Sequence, residues 1–149
     1  MAHHWYQRTS YMYNRACGMH FHILPWLQGS DGGTNRAIFT DLGITTSFVC
    51  FTDPANVQAA IQTNIKRIFS ETPAKPTLTF NDIEAISKIA HANEPRIVHV
   101  FDATFATPVM LQPIDLGADV TLHSTTKYYD GHKMTVGRVG ACATEEHHK

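Results

Sequence analysis

Asp102 ends an apolar run, Ile97-Val98-His99-Val100-Phe101, and Lys127 follows a second one, Val120–His123, with Ser124 and Thr126 beside it. A carboxylate, an amine and two hydroxyls at neighbouring strand ends are the groups that a phosphorylated aldehyde cofactor requires. The amine would form an imine, the hydroxyls and nearby backbone N–H groups would take a phosphate, and the carboxylate would keep a ring nitrogen protonated. Pyridoxal phosphate meets that description, and spacing alone leaves it as one of several phosphate-bearing ligands. Taken singly, each residue has a plainer reading: a lysine after a strand is usually solvated, and an aspartate there usually caps a turn.

The elements that must position these groups alternate in period. Ile44–Cys50 is rich in β-branched and aromatic residues and predicts a strand. Asp53-Pro54 then supplies a cap and a proline for the first helical position, with Val57, Ala60 and Ile61 on one helix face. Ile65–Ser70 predicts another strand, followed by the loop Glu71-Thr72-Pro73-Ala74-Lys75-Pro76. Asn81 with Glu84 has the spacing of a capping box, Ile83, Ile86 and Ala90 form a stripe, and Glu84 pairs with Lys88 at i,i+4. That helix should stop by Pro95.

The run Ile97–Phe101 predicts a parallel strand covered on both faces. A short helix is expected from Val109 to Leu116, closed by Gly117, before the strand at Val120–His123. Strand and helix in alternation predict an α/β fold, with a mostly parallel sheet and helices on both faces. Ligands in such sheets lie outside the carboxyl ends of the strands. Those ends are Ser70-Glu71-Thr72, Asp102-Ala103-Thr104 and Ser124-Thr125-Thr126-Lys127. Residues 1–43 carry no sustained period and are expected to be irregular, leaving 44–149 as the α/β domain.

Composition narrows the class. Of 149 residues 43% are hydrophobic and 17% charged, enough apolar matter for a core and too little charge for a disordered chain. Twelve basic against thirteen acidic residues leave a net charge of −1, so no nucleic-acid partner is expected. No apolar run is long enough to cross a bilayer, and the first residues, Met1 to Arg8, lack the apolar stretch of a secretion signal, so none is expected. Cys17, Cys50 and Cys142 form no CxxC, which favours a reducing compartment, and the expectation is a cytoplasmic protein. His20 and His22 would share a strand face, but they lack a third ligand of fixed geometry, and no metal is expected.

Longer motifs point further. Residues 51–140 resemble the cystathionine γ-synthase, cystathionine γ-lyase and methionine γ-lyase family, the pyridoxal-phosphate enzymes of cysteine and methionine metabolism. Glu71-Thr72-Pro73-Ala74-Lys75-Pro76 is similar to the family's E-T-P-x-N-P loop, and Val100-Phe101-Asp102-Ala103-Thr104-Phe105-Ala106-Thr107-Pro108 to V-x-D-N-T-F-x-x-P. Leu116-Gly117-Ala118-Asp119, then His123-Ser124-Thr125-Thr126-Lys127-Tyr128 and Gly131-His132, resemble L-G-A-D…H-S-x-T-K-Y-x-x-G-H.

The resemblance implies the large domain of a fold-type I pyridoxal-phosphate enzyme, here incomplete. It implies Lys127 as the Schiff-base lysine and acid–base group, Asp102 on the pyridinium N–H, and Ser124 and Thr126 on the phosphate. Cys17-Gly18-Met19 is similar to the family's S-G-M, which implies phosphate contacts from the backbone of Gly18 and Met19. Tyr13-Asn14-Arg15 resembles Y-S-R, which implies that Tyr13 and Arg15 reach a neighbouring subunit's phosphate site, and hence a homo-oligomer.

The implied activity is a C–S lyase or γ-replacement on a small sulfur amino acid. The alternative is a non-catalytic, shortened relative that folds partly or pairs with a full-length homologue. Four departures bear on function, and the first three, at Asp31, Lys75 and Ala103, motivate that alternative. Asp31 stands before Gly32-Gly33-Thr34 in place of a ring-stacking tyrosine, Lys75 replaces the loop asparagine, Ala103 replaces an asparagine beside Asp102, and Met134 replaces an aspartate. Complete members are more than twice as long, so the family's C-terminal domain, which carries the arginine for the substrate carboxylate, is expected to be absent. Arg138 has no role by resemblance.

Overall fold

The computed structural model describes residues 10–14, 45–74, 78–93, 96–132, 134 and 136–148. Among the described residues six strands form one sheet. They are β1 (Ser10–Asn14), β2 (Thr45–Val49), β3 (Ile65–Glu71), β4 (Val98–Asp102), β5 (Val120–Ser124) and β6 (Arg138–Cys142), in the order β2-β1-β3-β4-β5-β6. All neighbours are parallel except β5 and β6, which run antiparallel. The mostly parallel α/β arrangement expected from the alternating periods is therefore present. Two strands were not legible in those periods: β1, inside the stretch 1–43 expected to be irregular, and β6 at the edge.

Among the described residues three α-helical segments accompany the sheet: α1 (Pro54–Ala60), α2 (Ile83–His91) and α3 (Thr107–Met110). Asp53 starts α1, its Oδ1 accepting from Ala55 N at 2.9 Å, with Pro54 where no N–H is needed. The cap of α2 is Asp82 rather than Asn81: Asp82 Oδ1 accepts from Ala85 N at 2.9 Å. Asn81 is drawn off by the preceding strand, its Nδ2 donating to Glu71 O at 2.9 Å and its N to Thr72 Oγ1 at 3.0 Å. The helix expected over Val109–Leu116 is two pieces. α3 ends at Met110, and a 3₁₀ turn spans Pro113–Leu116, because Pro113 has no N–H to continue an α-helical ladder. Gly117, at φ +94°, closes that turn as expected.

α1 and α2 pack on each other and on one face of the sheet. Phe51, Val57, Ile65, Ile68, Ile86, Ala90 and Ile97 form the buried cluster between them. A second cluster joins Ile83, Phe101, Ala103 and Ala118. By register the opposite face carries Phe69, Val100, Asp102, Leu122, Ser124 and Arg138. The apolar residues there are half-buried, while α1 and α2 lie on the first face.

Candidate functional site

Asp102 is the last residue of β4, and Ser124 is the last of the adjacent parallel strand β5. Parallel pairing puts Asp102 opposite Leu122, which brings the two carboxyl ends side by side. Thr104 joins them: its N donates to Asp102 Oδ1 at 2.9 Å, and its Oγ1 accepts from Ser124 N at 2.7 Å. The same turn is closed by Ala103 N donating to Leu122 O at 2.9 Å. An aspartate that accepts from the N–H two residues on is a locally determined turn, so the orientation of this carboxylate is set before any ligand arrives.

After Ser124 the chain enters a wide turn, Thr125–Tyr129, closed by Asp130 N donating to Thr125 O at 3.1 Å. Lys127 interrupts the helical dihedrals of that turn with φ −105° and ψ −118°. It is exposed, and its amine enters no ion pair among the described residues. Ser124 Oγ and Thr126 Oγ1 lie 2.5 Å apart, a half-buried hydroxyl pair. Gly137 lies against the turn, where a Cβ would come 3.0 Å from Thr125 Oγ1 and force it to shift.

Four of the expected site residues, Asp102, Ser124, Thr126 and Lys127, thus lie at the ends of two neighbouring strands. Tyr13 lies in β1, with only its backbone described. Arg15, Gly18 and Met19 lie outside the described residues, as do Cys17, His20, His22, Asp31 and Lys75. Ala103 is fully buried against Ile83, Phe101 and Ala118, so its side-chain position faces the apolar cluster. A polar group there would be desolvated by that cluster.

Three further residues surround this site, of which sequence reasoning gave no role to Arg138 or His123 and picked out Thr104 only as part of a strand end. Arg138 donates from Nη1 to Asp102 Oδ2 at 3.1 Å, with its side chain 19% exposed and that of Asp102 8%. His123 is buried, its ring 5.4 Å from that of Tyr129, and its Nδ1 has no partner among the described residues. Burial pushes His123 below the ordinary imidazole value, against the opposing pull of Asp102 and the Ala103 backbone. Thr104 was the legible one of the three, because Asp-x-Thr after a strand is a turn signal.

Beneath the site lies a polar network in the covered face. His99, wholly buried, bonds Ser70 Oγ through Nε2 at 2.7 Å and Ser87 Oγ through Nδ1 at 2.8 Å. Burial pushes it down to about 4, the Asp119 carboxylate opposing and His91 adding to the fall. Buried Asp119 accepts from His99 N at 2.8 Å, from Arg96 Nη2, and lies 2.9 Å from His91 Nε2. Burial raises the Asp119 carboxyl, but the His99 N–H, the His91 ring and Arg96 outweigh it and hold the group below the usual range.

The donor set suits pyridoxal phosphate. A paired hydroxyl cluster suits a phosphate, an exposed lysine amine suits an aldehyde, and a carboxylate already holding a cation suits a protonated ring nitrogen. The profile of the Cys/Met metabolism PLP-dependent enzyme family matches residues 30–149. An L-methionine gamma-lyase of Treponema denticola is 49% identical over 90 residues, 60% of this chain and 22% of the relative. Cystathionine beta-lyase MetC of Bacillus subtilis is 40% identical over 118 residues, 77% of this chain and 30% of the relative. A crystal structure of cystathionine gamma-lyase from Lactobacillus plantarum complexed with L-serine superposes with TM-score 0.80 at 31% identity. It aligns with 97% of this chain, which spans 35% of that structure. The chain therefore spans about a third, or less, of the proteins it matches.

Proposed function

Because the chain belongs to the Cys/Met metabolism family of PLP-dependent enzymes, we propose that residues 44–149 hold pyridoxal 5'-phosphate at the carboxyl ends of β4 and β5. On this reading the chain serves a carbon–sulfur lyase or γ-replacement reaction of a small sulfur amino acid in the cytoplasm. The observation that carries it is the convergence of Asp102 with Ser124, Thr126 and Lys127 at two adjacent strand ends. When bound, the cofactor supplies an electron-withdrawing ring that lowers the cost of a carbanion on the substrate.

The residues have separable tasks. Asp102 Oδ2 would accept the ring N–H, while Thr104 N fixes its other oxygen. Ser124 Oγ and Thr126 Oγ1, which share one hydrogen bond, would hold the phosphate by donating their hydroxyl hydrogens to its oxygens. Lys127 Nζ would be the amine that holds the aldehyde, and the base that moves a proton at the substrate Cα. Tyr13, Arg15, Gly18 and Met19 are proposed to complete the phosphate site, the first two across a homo-oligomer interface.

The test is spectroscopic. Pyridoxal phosphate added to the purified chain should give a visible absorption band, and borohydride should fix the cofactor to the peptide bearing Lys127. Fixation elsewhere, or none, would sink the assignment. A non-catalytic role is the second reading, favoured by the guanidinium of Arg138 on Asp102 Oδ2. A chain that binds the cofactor yet releases no keto acid from methionine or cystathionine would support it.

A further inference from the structure

The carboxylate assigned to the cofactor's ring nitrogen already holds a cation. Arg138 opens β6 opposite Ser124, and Asp102 sits opposite Leu122 on the other side of β5, so all four share one face of the sheet. From there the arginine side chain reaches across β5 and places Nη1 3.1 Å from Asp102 Oδ2. The other oxygen, Oδ1, is occupied by Thr104 N at 2.9 Å. Oδ2 is therefore the oxygen that no backbone N–H of the turn engages, and it is the one the guanidinium uses.

The contact has the character of an exchangeable one. Arginine binds carboxylate best through two parallel N–H···O bonds, and here one is made. Its Nε is buried with no partner among the described residues, so the guanidinium gives up hydration without full compensation. Two cations on one carboxylate oxygen in a half-buried site repel each other.

We propose that Arg138 is the counter-ion that Asp102 holds until the ring nitrogen arrives, so that cofactor binding exchanges one cation for another on Oδ2. Arg138 is then a positioning residue. It keeps the carboxylate oriented and satisfied in the free chain, and it weakens cofactor binding by competing for the same oxygen. The inference rests on the cofactor reading above and adds a competitor that the reading does not contain.

The experiment is an equilibrium titration of the full chain and of Arg138→Met, followed by absorption and protein fluorescence. Two ligands are used: pyridoxal 5'-phosphate, and a phosphorylated hydroxybenzaldehyde of the same shape with no ring nitrogen. Arg138→Met should bind pyridoxal phosphate tenfold or more tightly than the unsubstituted chain does, and should gain nothing for the nitrogen-free analogue. A smaller gain, no change or a loss overturns the exchange, and so does an equal gain for both ligands, since the effect would then bypass Asp102. Should Arg138→Met fail to fold by circular dichroism, Arg138→Gln carries the same expectations. Binding of pyridoxal phosphate by neither folded chain overturns the cofactor reading together with the exchange, whereas normal binding with an unchanged preference overturns the exchange alone.

Discussion

Asp102 and His99 belong to one strand and face opposite ways, which gives them opposite duties. Asp102→Asn keeps the turn acceptor for Thr104 N but removes the negative charge from Oδ2, so pyridoxal phosphate should bind at least tenfold more weakly, as read by titration of the visible band. His99 acts on the fold. With a folded value near 4 against 6.5 in the unfolded chain, its contribution is complete above about pH 6.5 and drains away as pH falls from there towards 4. The fall amounts to about 3 kcal/mol at most. Asp119, held below its ordinary value, loses its own contribution at still lower pH, as its folded carboxyl takes up a proton. Urea unfolding at pH 7 and pH 4.5 should show the first loss. His99→Gln should flatten the slope between those two pH values while lowering stability at pH 7, because Ser70 and Ser87 lose a well-placed partner.

At the scale of elements, α2 tests how the chain fixes helix ends. Asp82→Ala should cost about 1 kcal/mol through the lost cap. Glu84→Ala should cost less, since the Glu84–Lys88 pair lies on the solvated surface. Denaturant midpoints of the two variants would rank them. Much of this level was legible beforehand: the stripe Ile83, Ile86, Ala90 is buried, and the strand ends fall where the apolar runs stop. The exceptions have causes beyond local pattern. Asn81 and Asp82 are both good caps, and the choice went to Asp82 because Glu71 and Thr72, ten and nine positions back, engage Asn81. His99 was counted within an apolar run, since its partners Ser70 and Ser87 arrive from two other elements. Arg138 had no assignable role, because Arg138-Val139-Gly140-Ala141-Cys142 has too little side-chain bulk to announce a strand, and only that strand aims the arginine at Asp102.

For the molecule as a whole, stability is concentrated under α1 and α2. Ile68, wholly buried between β3 and these helices, should cost about 2–5 kcal/mol when replaced by alanine. Val136, 86% exposed, should change stability by no more than about 0.5 kcal/mol under the same substitution. Thermal unfolding of both variants would show whether the covered face dominates. The site lies on the other face, at the strand ends, so loss of cofactor binding at Asp102 or Lys127 should leave the unfolding midpoint of the free chain nearly unmoved, apart from the ion pair that Asp102 makes.

The reversed direction of β6 has an outcome of its own. Side chains alternate along a strand, so sliding β6 by a single residue against β5 would send Arg138 to the helix-covered side and put an uncharged neighbour over Asp102. A lengthened or shortened connection between Asp130 and Gly137 is the sort of change that would do this. Misthreading at the rim of the sheet would then announce itself as an altered appetite for ligand, with the interior intact.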